Sequence, residues 1–296
     1  MNKELSKLTT IVIVTINGNI SYEVIDRIYE KYEIIIIENN SDNDFKKNLE
    51  INYPKIKIIL TDTNVGFGAA NNIGVKKTKT PFVLFLGPDV DISLKNIEVL
   101  EESVNKIKDF SILTPSSNGF NQILKTQLDK FDKDLTIKNL DGDICEIPWV
   151  PEWCMYCRIS DLKKIDYFDE NYFLYYEGLD LCKRLKRIGK KFYLINNNIV
   201  EHFFHGTSKN LDKKKTINHW KLRDWHYFWS SFYYHQKYYG YFRSLIIHLS
   251  KYFRFLIKKY IYLLTRNEKG YIVNKSKSDG ILSSMLLKKS DYRVDL

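Results

Sequence analysis

The chain has 296 residues, 44% hydrophobic and 28% charged, enough for one large core with an appendage. Its formal charge of +10 is unevenly spread: residues 241–296 hold 12 Lys and Arg against 4 Asp and Glu, which leaves the rest close to neutral. That balance excludes a nucleic-acid-binding body and aims a basic tail at something anionic.

No apolar run is long enough for a membrane span, and no signal-peptide pattern opens the chain, so a cytoplasmic location is expected. Cys154 and Cys157 form a CxxC, but no second pair stands at zinc-site spacing. With Cys145 and Cys182 they are expected to be buried thiols in a reducing cytosol.

In chain order, "TIVIVTI" (10–16) predicts a buried strand and "SYEVIDRIYEKY" (21–32) a helix. "EIIIIENNSDND" (33–44) is a second buried strand that stops in turn formers, and "KIKIILTDTN" (55–64) a third. "GAANNIGVKKT" (68–78) predicts a helix rich in small residues, and "PFVLFLG" (81–87) a fourth strand. Strands alternating with helices imply right-handed crossovers and a parallel sheet, whose ligands bind at the carboxyl ends of the strands. Asn17, the cluster Glu38-Asn39-Asn40-Ser41, and the pair Asp89 and Asp91 all fall at such ends, which favours one shared crevice. Further on, a helix precedes a poorly patterned stretch, and "WVPEWCMYCRI" (149–159) predicts another strand. Leu181, Leu185 and Ile188 follow helical spacing up to a stop at Gly189. A last short strand, "FYLINNNIV", leads to "EHFFHGTSK" (201–209). No repeat or long linker interrupts this region.

Asp89 and Asp91, two residues apart beyond a strand, have three readings: a turn cap, a Ca²⁺ site, or a Mg²⁺ or Mn²⁺ site that also takes phosphate oxygens. The ligand series is too short for an EF-hand, and spacing alone does not choose between the other two.

Several motifs in order resemble the inverting family 2 glycosyltransferases, especially a bacterial rhamnosyltransferase-like branch. "IVIVTINGN" is similar to that family's opening strand, and "IIIIENNSDN" to its "VVDNxSxD", with Glu38 where Asp is usual. "NVGFGAANNIG" (64–74) resembles "NxGFaxaxNxG", and "LFLGPDVDI" resembles "LLNPDv" with Gly87 for Asn. "YFDENYFLYYEGLDLCKR" is similar to "gFDExFFxYxEDxDLcxR", and "HFFHGTS" to "HxxGxS".

The resemblance implies an α/β GT-A nucleotide-diphospho-sugar transferase fold. Its central sheet would be mostly parallel and flanked by helices, with a catalytic domain over 1–215 and an aromatic, basic helical extension over 216–296. It implies a metal-dependent hexosyltransferase that moves a sugar from a nucleoside-diphosphate donor, dTDP-rhamnose among the candidates, to a glycan or lipid-linked glycan acceptor in cell-surface polysaccharide synthesis. Mn²⁺ or Mg²⁺ would be held by Asp91 with Asp89 nearby, and by His202 or His205. The family's histidine position holds Phe203 here, one residue after His202. Thr15, Asn17, Glu38, Asn40, Asn64, Gly66, Gly68, Asn71 and Asp89 would contact the donor. The general base would come from the family's acidic "ED" pair, which here is Glu177-Gly178, so Glu177 is the expected base and Asp180, at i+3, a second candidate. Gly178 leaves a competing reading, a catalytically inactive glycosyltransferase-like binding subunit. A nucleotidyltransferase is disfavoured, because "TINGNISYE" lacks a Gly-rich loop with Arg and Lys.

In the tail, the many rings of 219–242 are expected to pack as core. Residues 241–266 interleave apolar side chains with Arg243, Lys251, Arg254, Lys258 and Lys259. Such a helix suits an anionic membrane surface, which would make the protein peripheral on the inner face of the plasma membrane. Docking on its own domain, or on a second copy as a homo-oligomer, is the competing use.

Overall fold

The computed structural model describes residues 6–117, 142–203 and 213–294. The chain divides into two compact units, Met1–Phe168 with Gly178–Thr207, and Asp169–Glu177 with Ser208–Leu296.

The first unit is a sheet flanked by helices. Its strands are β1 (Thr9–Thr15), β2 (Glu33–Glu38), β3 (Lys57–Leu60), β4 (Phe82–Leu86), β5 (Val90–Asp91), β6 (Phe110–Ser117), β7 (Ile144–Ile147), β8 (Cys154–Arg158) and β9 (Lys191–His202). They run in the order β3-β2-β1-β4-β8-β6-β9-β5, with β7 also on β9. β3, β2, β1 and β4 are mutually parallel. β8 then lies antiparallel to both β4 and β6, and β9 is parallel to β6 but antiparallel to β5 and β7. The sheet is therefore mixed: β3, β2, β1, β4, β6 and β9 run one way, and β5, β7 and β8 run against them. An apolar run specifies a buried strand, but it does not specify the direction in which that strand enters the sheet.

β1, β2 and β4 are buried on both faces, as their Ile, Val, Leu and Phe runs require. Each fully buried Ile or Leu contributes roughly 1.5–3 kcal/mol. Helices α1 (Tyr22–Ile28), α2 (Asn43–Asn52), α3 (Phe67–Lys77), α4 (Leu94–Lys106), α5 (Ile159–Lys164) and α6 (Glu177–Arg187) punctuate the strands. Ser21 and Asp42 cap α1 and α2, and Ser93 with Asn96 forms a capping box on α4. α3 lies so close to β1 that a Cβ on Gly74 would stand 2.4 Å from Val12 Cγ1.

The second unit contains α7 (Lys213–Tyr239), α8 (Tyr241–Leu264) and α9 (Glu268–Met285). Gly240, at φ 86°, breaks α7 from α8. Many of the rings of α7 are core, as expected: Trp225, Trp229, Phe232 and Tyr234 are buried. α9 turns small residues, Ser276, Gly280 and Ser284, inward; a Cβ on Gly280 would lie 2.2 Å from the Trp225 carbonyl oxygen. His226 and His248 are buried between hydroxyl and carbonyl partners. Residues 169–177 belong to this unit. Asp169 accepts from Lys237 Nζ (2.7 Å) and Tyr233 (3.2 Å), Phe173 packs on His226, and Ser230 donates to the Leu174 carbonyl. No helix among the described residues is long and apolar enough to cross a membrane.

Candidate active site

The carboxyl ends of β1 and β2 meet in register at Thr15 and Glu38. Beyond β1, Asn17 (φ 56°) and Gly18 (φ 64°) both take the left-handed conformation. That turn directs two backbone N–H groups at the fully buried Glu38, whose Oε1 accepts from Asn17 N at 2.9 Å and whose Oε2 accepts from Gly18 N at 3.0 Å. Burial raises the Glu38 pKa, and the two amides oppose that shift. Thr15 Oγ1 donates to the Asn19 carbonyl, and Asn40 Nδ2 to Asn17 Oδ1. Glu38 thus shapes the loop, with both oxygens already engaged.

The next loop is organised by Asn39, which the sequence placed in the strand-end cluster without a role of its own. Its Oδ1 accepts from Val65 N (2.9 Å) and Thr61 Oγ1 (3.1 Å), and its Nδ2 donates to Asn64 Oδ1 (3.0 Å). Asn64 Oδ1 in turn accepts from Gly66 N. Gly66, at φ 93°, opens α3, and Gly68 is buried in its first turn. Asn71 Nδ2 bonds back to the Phe67 carbonyl. Its neighbour Asn72 clamps both backbone groups of Phe168, at 3.0 Å each.

At the end of β4, Gly87 N donates to the Trp153 carbonyl at 2.7 Å. A Cβ at Gly87 would sit 3.1 Å from that oxygen and 3.2 Å from Asp89 Oδ1. Glycine at this position, where the family has Asn, therefore leaves room for both groups. Asp89 Oδ1 is 3.5 Å from His202 Nε2, and the Trp153 ring stacks on the His202 ring at 5.3 Å. Antiparallel pairing of β5 with β9 brings His202 there, with Val90 opposite His202 and Asp91 opposite Glu201. Asp91 instead forms an ion pair with Arg27 of α1. The structure brings Asp89 and His202 together and gives Asp91 a different partner; His205 lies outside the described residues. Among the described residues no three His, Cys, Asp or Glu side chains gather as a metal cluster. A carboxylate oxygen beside an imidazole nitrogen nevertheless fits Mn²⁺ as two of its ligands.

At the start of α6, Tyr175 and Tyr176 are both left-handed (φ 68° and 69°), and the buried Glu177 follows them. Asp180 is fully buried and accepts from Arg184 Nε at 2.6 Å, while Arg184 also donates to the Ile165 carbonyl. Gly178 N donates to Glu152 Oε1 at 3.0 Å, a carboxylate that the sequence reading overlooked inside a predicted strand. The four cysteines are buried and free, and burial pushes the Cys182 thiol up to about 12.

Residues 10–152 match the family model described as Glycosyl transferase family 2. The chain contains a glycosyltransferase family 2 domain. The domain is similar to rhamnosyltransferase WbbL of Escherichia coli (strain K12), 24% identical over 207 residues that cover 62% of this chain and 78% of that protein. It is also similar to the low-salt glycan biosynthesis hexosyltransferase Agl10 of Haloferax volcanii, 24% identical over 167 residues, 52% of this chain and 53% of the relative. Among solved structures, mannosyltransferase PcManGT from Pyrobaculum calidifontis, in complex with GDP-Man and Mn²⁺, aligns with a TM-score of 0.56 at 9% identity, over 95% of this chain and 88% of that one. GalNAc-T7 with UDP, GalNAc and Mn²⁺ aligns with a TM-score of 0.52 at 13% identity, over 72% of this chain and 48% of that one. The chain thus spans about half the length of Agl10 and of GalNAc-T7. These likenesses establish the GT-A fold, a mixed sheet flanked by helices and followed by C-terminal helices.

Proposed function

We propose that this glycosyltransferase moves a sugar from a nucleoside diphosphate to a hydroxyl of a glycan or lipid-linked glycan, with inversion at the anomeric carbon. The observation that carries the reading is the Asp89–His202 pair at the end of β4, in the same unit as the Glu38-shaped loop and the Asn39–Asn64–Gly66 loop. Those two loops hold the nucleoside, and Gly66 and Gly68 admit it close to the backbone. Asp89 and His202 would hold Mn²⁺ or Mg²⁺, which would offset the charge that grows on a departing diphosphate. The acceptor hydroxyl gives its proton to a carboxylate at the amino end of α6. Rhamnose on thymidine diphosphate is the first donor to try, given the likeness to WbbL.

An anionic membrane surface is the proposed partner of α8. Phe242, Ile246, Leu249, Phe253, Ile257 and Tyr260 recur at spacings of three and four, which at 100° per residue puts them on one side of the helix, and all are exposed. The exposed Arg243 and Arg254 lie beside that stripe, so the face offers apolar depth next to positive charge, as a helix lying in a headgroup layer does.

A thermal-shift screen of dTDP-rhamnose, UDP- and GDP-sugars with Mn²⁺, followed by transfer assays with and without chelator, tests the reading. Stabilisation by one nucleotide class and chelator-sensitive turnover are expected. Failure of every nucleotide sugar to stabilise the protein would refute it. Donor binding without turnover in any assay would favour the inactive binding subunit that Gly178 suggests.

A further inference from the structure

The acidic pair that opens α6 is one carboxylate short, because Gly178 follows Glu177. The space beside Gly178 is nonetheless filled by a carboxylate. A Cβ built on Gly178 would stand 2.2 Å from Glu152 Oε1, 2.3 Å from its Cγ and 2.4 Å from its Cδ. Any side chain at 178 would begin inside the Glu152 carboxylate, so the place admits one acid, brought either by the helix or by the loop before β8. This chain brings it by the loop.

Glu152 is also joined to the other half of the site. The next residue, Trp153, accepts from Gly87 N through its carbonyl and stacks its ring on His202, beside Asp89. Residues 152 and 153 therefore connect Gly178, in the first turn of α6, to the Asp89–His202 pair, and these residues all belong to the sheet unit.

We propose that Glu152 is the general base of the transfer, in place of the acid absent at 178. This rests on the transfer reading above. The acceptor oxygen forms the new bond to the anomeric carbon. The bond from that carbon to the diphosphate oxygen breaks, with its electron pair leaving on the diphosphate. The hydroxyl proton passes to the Glu152 carboxylate and later to water. Burial raises the pKa of Glu152 above the ordinary carboxylate value, against the amides of Gly178 and Glu152 itself, which lower it. A more basic carboxylate accepts a proton better near neutral pH. The Cys182 thiol, which feels the Glu152 charge, is kept protonated by burial. The competing role is a helix cap, since a carboxylate bonded to a first-turn N–H also stabilises α6.

The test uses the full chain with Mn²⁺ and the nucleotide sugar that stabilises it, reading release of nucleoside diphosphate in transfer to water and to sugar acceptors. Glu152→Gln is expected to lower kcat by a factor on the order of 10²–10⁴ while donor affinity and melting temperature change little. The double variant Glu152→Ala, Gly178→Asp returns a carboxylate to the helix and is expected to recover at least about tenfold over Glu152→Ala alone. Wild-type turnover in Glu152→Gln overturns the proposal. A loss of activity that tracks a lowered melting temperature, with no recovery in the double variant, overturns it in favour of the cap. A wild-type protein that binds donors but never turns them over removes the base role and keeps the donor-binding reading. One that binds no donor removes both.

Discussion

Acidification from about pH 7 to about pH 5 is expected to destabilise the three-helix unit through two histidines. His226 faces Ser290 Oγ and the Tyr292 carbonyl, at 2.9 and 2.8 Å, with Arg293 nearby. His248 faces Ser231 Oγ and the Ser244 carbonyl, both at 2.9 Å, with Lys251 and His235 nearby. Burial lowers each to about 3, against an ordinary 6.5. The folded value lies below the unfolded one, so the unfolded chain binds protons first as the pH falls. The stabilisation is complete above the unfolded value and is lost progressively on the way down towards the folded one. The slope is about 1.4 kcal/mol per pH unit for each histidine, or about 2 kcal/mol each and 4 together at pH 5. For a unit of this size, at about 4–8 °C per kcal/mol, that lowers the melting temperature by about 15–30 °C. Asp169, whose pKa Lys237 holds down, adds its own loss only below the ordinary carboxylate range. Near-UV circular dichroism and Trp fluorescence melts at stepped pH provide the assay. A His226→Gln, His248→Gln variant should melt lower at neutral pH but lose much less on acidification. An unchanged pH slope in that variant would refute the reasoning.

Gly280→Ala forces a methyl group against the Trp225 carbonyl and should cost roughly 1–3 kcal/mol, read as a lower melting temperature of the helical unit. Asp89→Asn should abolish Mn²⁺-dependent stabilisation by the donor, whereas Asp91→Asn loses a half-exposed pair with Arg27 and should cost about 0–1 kcal/mol; the opposite ranking would move the metal role to Asp91. Glu177→Gln should reduce turnover by less than about tenfold if Glu152 is the base, and a larger loss there than in Glu152→Gln would reverse the assignment. Phe253→Ser with Ile257→Ser should release the protein from vesicles containing phosphatidylserine in a flotation assay, with donor binding retained; undiminished flotation would assign the stripe another role.

The strands that carry the crevice were legible because their burial is written as unbroken apolar runs, from "TIVIVT" to "FVLFL". α8 was legible from its periodicity, and the exposure of its stripe followed from there being more apolar side chains than one buried face can use. The antiparallel entry of β8 was not legible, since "CMYCR" reads the same in either direction. The roles of three polar residues stayed hidden for another reason. Asn39 acts through residues 61–65, Asn72 through Phe168 and Glu152 through Gly178, and none of these partners lies within one helical turn or one hairpin of its owner. Gly178 looked like a missing acid; only the packed structure shows that its empty side is filled by a carboxylate from elsewhere in the chain.

The segment Asp169–Glu177 has a consequence for how such proteins can be recombined. The chain passes between its two units three times, after Phe168, after Glu177 and after Thr207. The helices therefore do not behave as a cassette that can be exchanged by one cut. A chimera joined after residue 215 would keep Tyr172 and Phe173 but lose Tyr233 and His226, the rings they pack on. Successful graft partners for these helices must bring their own version of the nine-residue insert, or be spliced at all three crossings together.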